Sequence, residues 1–271
     1  MLQEKREVRD FWDGHPLGGS WDTFKSQMDW KHKREPWLNE IINEKRFRDK
    51  YILEVGCGPG IDLGLIYLKG ARCVGLDISS ESLHKCKENF RELGISVDLV
   101  IGDSEFLPFK DDKFDVVFSY GVLHHTPSIE KGVVQIYRVL KNGGNGIIML
   151  YRKYAPQQII ISILRGINKW FSIEKFFKKR YDVDTTLNPK FGTAFEELFS
   201  CPIIQFTSKR GVKKIFKKIN ILKMELYQTG FRRLAVDFFK DASRLTSFFI
   251  ALDKGTEKVF GFYRFIYFEK T

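Results

Sequence analysis

Cysteine is scarce and unpaired in this 271-residue chain. Its four cysteines (Cys57, Cys73, Cys86, Cys201) stand far apart, with no Cys-x-x-Cys spacing. That excludes a disulfide framework and a zinc ribbon, and it suits a reducing compartment. Long apolar runs are absent too. The longest aliphatic stretch, Ile159–Leu164, is broken by Ser162 and stopped by Arg165, far short of the roughly 20 residues a membrane span needs. The opening MLQEKREVRDFWDG lacks the apolar core of a signal peptide, so the expected setting is the cytoplasm. Internal repeats and low-complexity tracts are missing as well. The remainder, 43% hydrophobic and 29% charged, is a globular composition.

Acidic residues are short in one half only. Residues 151–271 hold 24 Lys+Arg against 11 Asp+Glu, a net of +13, whereas residues 1–150 hold 21 against 23, a net of −2. The overall +11 therefore belongs wholly to the second part.

Residues 1–50 read as helical and carry Trp12, Trp21, Trp30 and Trp37, with a turn at His15-Pro16-Leu17-Gly18-Gly19. From Tyr51 strands and helices alternate. Tyr51–Val55, Ala71–Leu76, Val97–Ile101, Phe114–Ser119 and Gly146–Leu150 read as strands, each short and apolar as buried parallel strands are. Ser79 or Ser80 caps a helix to about Phe90, Ile129–Leu140 forms another, and residues 141–144 form a turn. Such alternation predicts a doubly wound, mostly parallel α/β sheet. Beyond Leu150 the regularity lapses into a helix from about Gln157 to Lys179, a loop, and a lysine-rich helix near 209–219. Lys223–Tyr227 and Phe260–Phe268 would close the sheet antiparallel at its edge.

The strongest chemical signal is Glu54-Val55-Gly56-Cys57-Gly58-Pro59-Gly60 at the end of a strand. Glycines there let the backbone turn and approach a ligand closely. A dinucleotide fingerprint would want a third glycine where Ile61 stands. Three acids follow successive strands: Glu54, Asp77 and Asp103. They converge on the carboxyl edge of the sheet, where open α/β folds bind ligands. A pyrophosphate would want positive charge there. This edge suits a ligand with hydroxyls, an amine and a cationic centre.

LEVGCGPG (53–60), GLDIS (75–79), GDSEFLPFKDDKFDVVFSYGVLHH (102–125) and RVLKNGGNGIIML (138–150) together resemble the class I S-adenosylmethionine-dependent methyltransferases of the small-molecule type, among them the quinone-biosynthesis C-methyltransferases (methyltransferase type 11). The resemblance implies a seven-stranded Rossmann-like sheet that uses S-adenosylmethionine and no metal. Its modules would be an N-terminal aromatic cap (1–50), the cofactor-binding core (51–150), a basic helical insertion after strand five (151–219) and the last two strands (220–271). By the same resemblance Glu54 lies by the methionine amine, and Gly56, Cys57, Gly58 and Gly60 line the methionyl part. Asp77 holds the ribose with Ser79 beside it, Ile78 packs on adenine, Asp103 and Ser104 reach the adenine edge, and Tyr120 and Gly121 touch the methionyl end. Asn142 replaces the proline common before Gly-Gly in that family.

Methyl transfer from a sulfonium is an in-line displacement, so alignment in a dry pocket does most of the work, and proximity supplies roughly 7–11 kcal/mol. A base is needed only for a hydroxyl or carbon-acid acceptor. His124, His125 and, less directly, His15 are the candidate bases, since imidazole titrates near neutrality; packing beside the cofactor is the alternative role. His32 and His84 read as surface residues. Ser119-Tyr120-Gly121-Val122 replaces the Asn/Asp-Pro-Pro-Tyr/Phe of amine-N enzymes, which counts against those substrates. Phe11–Pro16 is the expected cap contact over the cofactor.

For the basic part three readings stand: a solvated helix face, an interfacial helix on anionic lipid, or nucleic-acid contact, ranked below lipid for want of an RNA-binding motif. The acceptor expected is a small molecule or lipid, with peripheral contact to an anionic membrane surface. An RNA methyltransferase, or a cofactor-binding module without catalysis, is the alternative.

Overall fold

A computed structural model describes residues 2–15, 23–171, 201–229 and 244–271. The expected turn at Pro16–Gly19, Trp21, the helix beyond Phe171, the basic stretch 175–180 and Arg232-Arg233 lie outside the described residues.

Seven strands form one sheet in the order β3-β2-β1-β4-β5-β7-β6. They are β1 (Tyr51–Val55), β2 (Arg72–Asp77), β3 (Asp98–Ile101), β4 (Phe114–Tyr120), β5 (Leu140–Tyr151), β6 (Asn220–Tyr227) and β7 (Tyr263–Glu269). The first five run parallel, and β7 inserts antiparallel between β5 and β6. Strand order reverses between β1 and β4, which opens the crevice at their carboxyl ends.

Alternation along the strands explains the layering. In β5, Ile147 and Met149 enter one core, whereas Ile148 and Leu150 enter the other. The first core is covered by α2 (Phe24–Arg34), α3 (Trp37–Ile41), α5 (Ile61–Leu68) and α6 (Ser80–Glu92), through Phe24, Trp37, Leu63 and Phe90. The second is covered by α7 (Ile129–Val139) and α9 (Lys209–Ile215), through Val133, Ile136 and Val212. Both faces buried is what continuous apolar strands require. The remaining helices are α1 (Leu2–Gly14), α4 (Glu44–Phe47), α8 (Pro156–Phe171) and α10 (Arg244–Phe260).

Several boundaries differ from the sequence reading. Strand β5 begins at Leu140 rather than Gly146, because Leu140 already pairs with Phe114 and the ladder resumes at Asn145 opposite Val116 after an irregularity over residues 141–144. Helix α9 stops at Ile215, since Asn220 already pairs with Glu269. Helix α10 takes Phe260, so β7 starts at Tyr263. Helix α5, IDLGLIYL, is apolar on nearly every side and has no amphipathic period to announce it.

Candidate functional site

The glycine loop is fastened to the end of β2. Gly56 and Cys57 donate their backbone N–H to the Leu76 carbonyl at 2.7 and 3.0 Å. Gly56 has φ +76°, and a Cβ there would stand 2.1 Å from a Val122 methyl, so only glycine fits between the β1 and β4 turns. Gly60, at φ +86°, starts α5 where a Cβ would meet the Cys86 sulfur at 2.5 Å.

Asp77 ends β2 inside this frame. Its Oδ2 accepts from Gly58 N at 2.8 Å and its Oδ1 from Ser79 N at 2.9 Å. Burial pushes its carboxyl up, opposed by those backbone donors. Each oxygen keeps a second lone pair, so the carboxylate is held rigid and can still accept from two hydroxyls. Ser79 caps α6, its side chain accepting from Ser82 N at 3.0 Å.

A cavity opens at this edge. Gly56, Gly58, Asp77, Ile78, Asp103, Ser104, Tyr120, Gly121 and His125 all line it, as do Lys5, Val8 and Trp12 of α1. Nine of the expected residues are thus brought together. Glu54, Cys57, Gly60, Ser79, His124 and His15 are not in the lining. Cys57 and Cys86 face each other, and that contact, with burial, pushes the Cys57 thiol well up. His15 stacks on Phe11 at 4.6 Å with Nδ1 2.8 Å from the Phe11 carbonyl.

The adjacent histidines part company. Both lie on the single turn Leu123–His125 after β4. His124 is fully buried and stacked on Tyr151 at 3.7 Å. Burial, then the neighbouring His125, holds it well below the ordinary imidazole range. His125 faces the cavity, edge-on to Trp12 at 5.4 Å, with Nδ1 2.8 Å from the Ile203 carbonyl and 3.2 Å from the Cys201 sulfur. An imidazole nitrogen against a carbonyl carries the proton, which assigns the proton to Nδ1. His84 is exposed as expected, but His32 is half-buried and its pKa is lowered by that burial.

Two lysines that sequence reasoning passed over reach this edge from the cap. Lys5 pairs with Asp103 and, at 2.9 Å, with Glu105. Lys31 of α2 donates to Asp62 Oδ2 at 2.6 Å and sits 4.9 Å above the Tyr120 ring, whose hydroxyl donates to Glu35 at 3.0 Å. Burial would lower the Lys31 ammonium, but Asp62, Glu35 and Glu54 outweigh it and hold it raised. Glu54, 2% exposed, is pushed well up by burial and by Asp62. Among the described residues, Glu54 Oε2 and Asp62 Oδ1 are buried without hydrogen-bond partners. Unsatisfied buried carboxylate oxygens beside a glycine loop fit a ligand that brings an amine, and the fixed Asp77 fits a ribose. Among the described residues no group of three or more His, Cys, Asp or Glu is placed to hold a metal.

The cap tryptophans divide by role. Trp12 lines the cavity, Trp37 is buried against Tyr227 and Tyr263, and Trp30 stacks under Arg34.

This sheet order, with a glycine loop after β1 and an acid after β2, defines a class I methyltransferase fold. Residues 53–148 match the family model described as "Methyltransferase domain". The chain is 30% identical over 180 residues to an uncharacterised protein of Methanocaldococcus jannaschii, covering 66% of this chain and 64% of that one. It is 37% identical over 138 residues to a phthiotriol/phenolphthiotriol dimycocerosates methyltransferase of Mycobacterium tuberculosis, covering 44% of this chain and 50% of that one. The chain thus spans between half and two thirds of the length of these relatives. In fold it is similar to the geranyl diphosphate C-methyltransferase of Streptomyces coelicolor, with a TM-score of 0.62, 12% identity and coverage of 99% and 98% of the two chains.

Proposed function

We propose that this protein transfers a methyl group from S-adenosylmethionine to a small or lipid-like acceptor bearing a hydroxyl or an acidic C–H. The observation that carries the cofactor half is Asp77, pinned by two backbone donors at the mouth of the glycine loop. When bound, S-adenosylmethionine supplies a methyl on a positively charged sulfur. The chain's residues do the rest: Asp77 orients, Glu54 and Asp62 offer buried carboxyl oxygens, and α1 covers the cavity and excludes water.

On the acceptor side, Val8, Trp12, Tyr120, Val122 and Pro127 line the cavity. The cation in the lining, Lys5, is engaged by Asp103 and Glu105. An apolar, aromatic slot favours a compact or lipid-like acceptor over a polyanion, and the mycobacterial relative, named for a dimycocerosate lipid, accords with it. His125, with Nδ1–H donated to Ile203, takes up the acceptor proton at Nε2.

Calorimetric titration tests the cofactor half. S-adenosylhomocysteine should bind the native chain, and Asp77→Ala should weaken it roughly 100-fold, the loss of two hydrogen bonds to a charged group. Binding of NADH in its place, or affinity unmoved by Asp77→Ala, would overturn the assignment.

A further inference from the structure

Helix α8 leaves its most apolar face outside. Ile159, Ile160, Ile163 and Ile167 are 51%, 57%, 55% and 38% exposed. At 3.6 residues per turn they share a stripe about 100° wide. The opposite side is already used: Ile161 packs on the sheet core, and Arg165 donates to the Cys201 carbonyl at 3.0 Å. An amphipathic helix on a globular protein turns such a stripe inward, so an isoleucine face left in water marks a contact surface.

The stripe continues at its N-terminal end. Arg152, which precedes α8, donates to the Val259 carbonyl at the end of α10. Tyr154, Val259 and Phe260 there are 67%, 60% and 50% exposed. Charge around them is mainly positive. Helix α8 has no acidic residue, and Lys153, Lys254 and Lys258 are exposed beside the aromatic and aliphatic groups. Of the two acids in α10, Asp253 is buried and bonded to Thr229, and Glu257 is half-buried.

We infer that α8 and the end of α10 form a docking surface for an anionic lipid bilayer, with the isoleucines entering the headgroup region and the lysines meeting lipid phosphate. An apolar stripe flanked by cations, on a helix too short to span, is the design of an interfacial helix. No helix of the described residues is long and apolar enough to cross a membrane. A negatively charged leaflet complements the exposed lysines around the stripe. The surface also connects to the site. Arg165 holds the Cys201 carbonyl, and the Cys201 sulfur and Ile203 carbonyl hold His125. Seating α8 on a leaflet thus sets the acceptor end of the cavity beside the lipid phase. For its purpose the inference rests on a lipid-like acceptor, but the surface is tested without turnover.

Flotation of the full chain with vesicles checks it. Binding is expected with vesicles of phosphatidylcholine containing about one third phosphatidylserine, and not with phosphatidylcholine alone. Ile160→Asp/Ile163→Asp should cut the bound fraction at least fivefold, and Lys254→Glu/Lys258→Glu at least threefold. Calorimetry of S-adenosylhomocysteine on each variant confirms that the core is intact, and Ile160→Ser/Ile167→Ser gives a milder second probe of the same face. Absence of binding to anionic vesicles, binding indifferent to the isoleucine changes, or light scattering showing a dimer that Ile160→Asp/Ile163→Asp dissociates would each overturn it. A chain that binds vesicles but not S-adenosylhomocysteine would sink the cofactor reading and leave this surface standing.

Discussion

Two adjacent histidines with opposite surroundings give a test at the resolution of one residue. His124 is buried neutral, its pKa held well below the ordinary value. The unfolded chain therefore takes up a proton at this position below about pH 6.5 that the folded chain refuses. The sign follows: stability from this group is complete above that pH and is lost as pH falls, by up to roughly 1.4 kcal/mol per pH unit. Chemical denaturation of His124→Phe between about pH 7 and pH 5 should show a flatter pH dependence than the native chain, with turnover largely kept; an unchanged slope would mean that His124 protonates in place. His125→Ala should instead lower kcat by roughly 100-fold or more and leave S-adenosylhomocysteine affinity within about twofold. Sequence cannot separate the pair, because they differ only in which way a three-residue turn points. The strand-end acids were legible for the converse reason: a parallel strand fixes where its last residue goes.

At the scale of elements, the N-terminal cap is where sequence said least. Lys5 and Lys31 lie on helices of mixed charge, and a lysine there reads as solvated. Nothing local reports that one meets Asp103, 98 positions away, or that the other meets Asp62. Helix α5 escaped for lack of period, and β5 was shortened on paper because a Gly-Gly turn looks like a break. The parallel core, by contrast, was legible from apolar runs ending in glycine or acid. Lys31 is the ion by which α2 is seated over the buried carboxylates of Glu54, Asp62 and Glu35. Lys31→Met removes the cation and leaves the acids, a change that costs roughly 3 kcal/mol when a buried pair is broken, or about 6–10 °C in Tm. The same acids then lose their ammonium partner, a place the cofactor's cationic groups can take. S-adenosylmethionine should accordingly raise the Tm of Lys31→Met by more than it raises that of the native chain. A smaller rise would make Lys31 a ligand to the cofactor's carboxylate rather than a stand-in for its amine.

Over the whole molecule, charge and chemistry are segregated. Residues 1–150 carry a net of −2 and residues 151–271 a net of +13; the buried acids Glu54, Asp62 and Asp77 of the first part stand near the carboxyl edge of the sheet, while Lys213, Lys214, Lys254 and Lys258 of the second are exposed. Salt distinguishes the two, since exposed charges are screened within about 8 Å at physiological ionic strength and buried ones much less. Raising sodium chloride from about 0.05 M to about 0.5 M should reduce the fraction of protein bound to anionic vesicles several-fold. Across the same range the S-adenosylhomocysteine dissociation constant should move by less than about twofold, because Asp77 and Glu54 are 9% and 2% exposed. Both titrations run on one preparation, by flotation and calorimetry. Were cofactor affinity to collapse with salt, the acids would be acting as surface charges and the buried edge would be open to water. Vesicle binding that ignored salt would assign the docking surface to its isoleucines alone, and the excess of thirteen positive charges would lose its connection to the membrane.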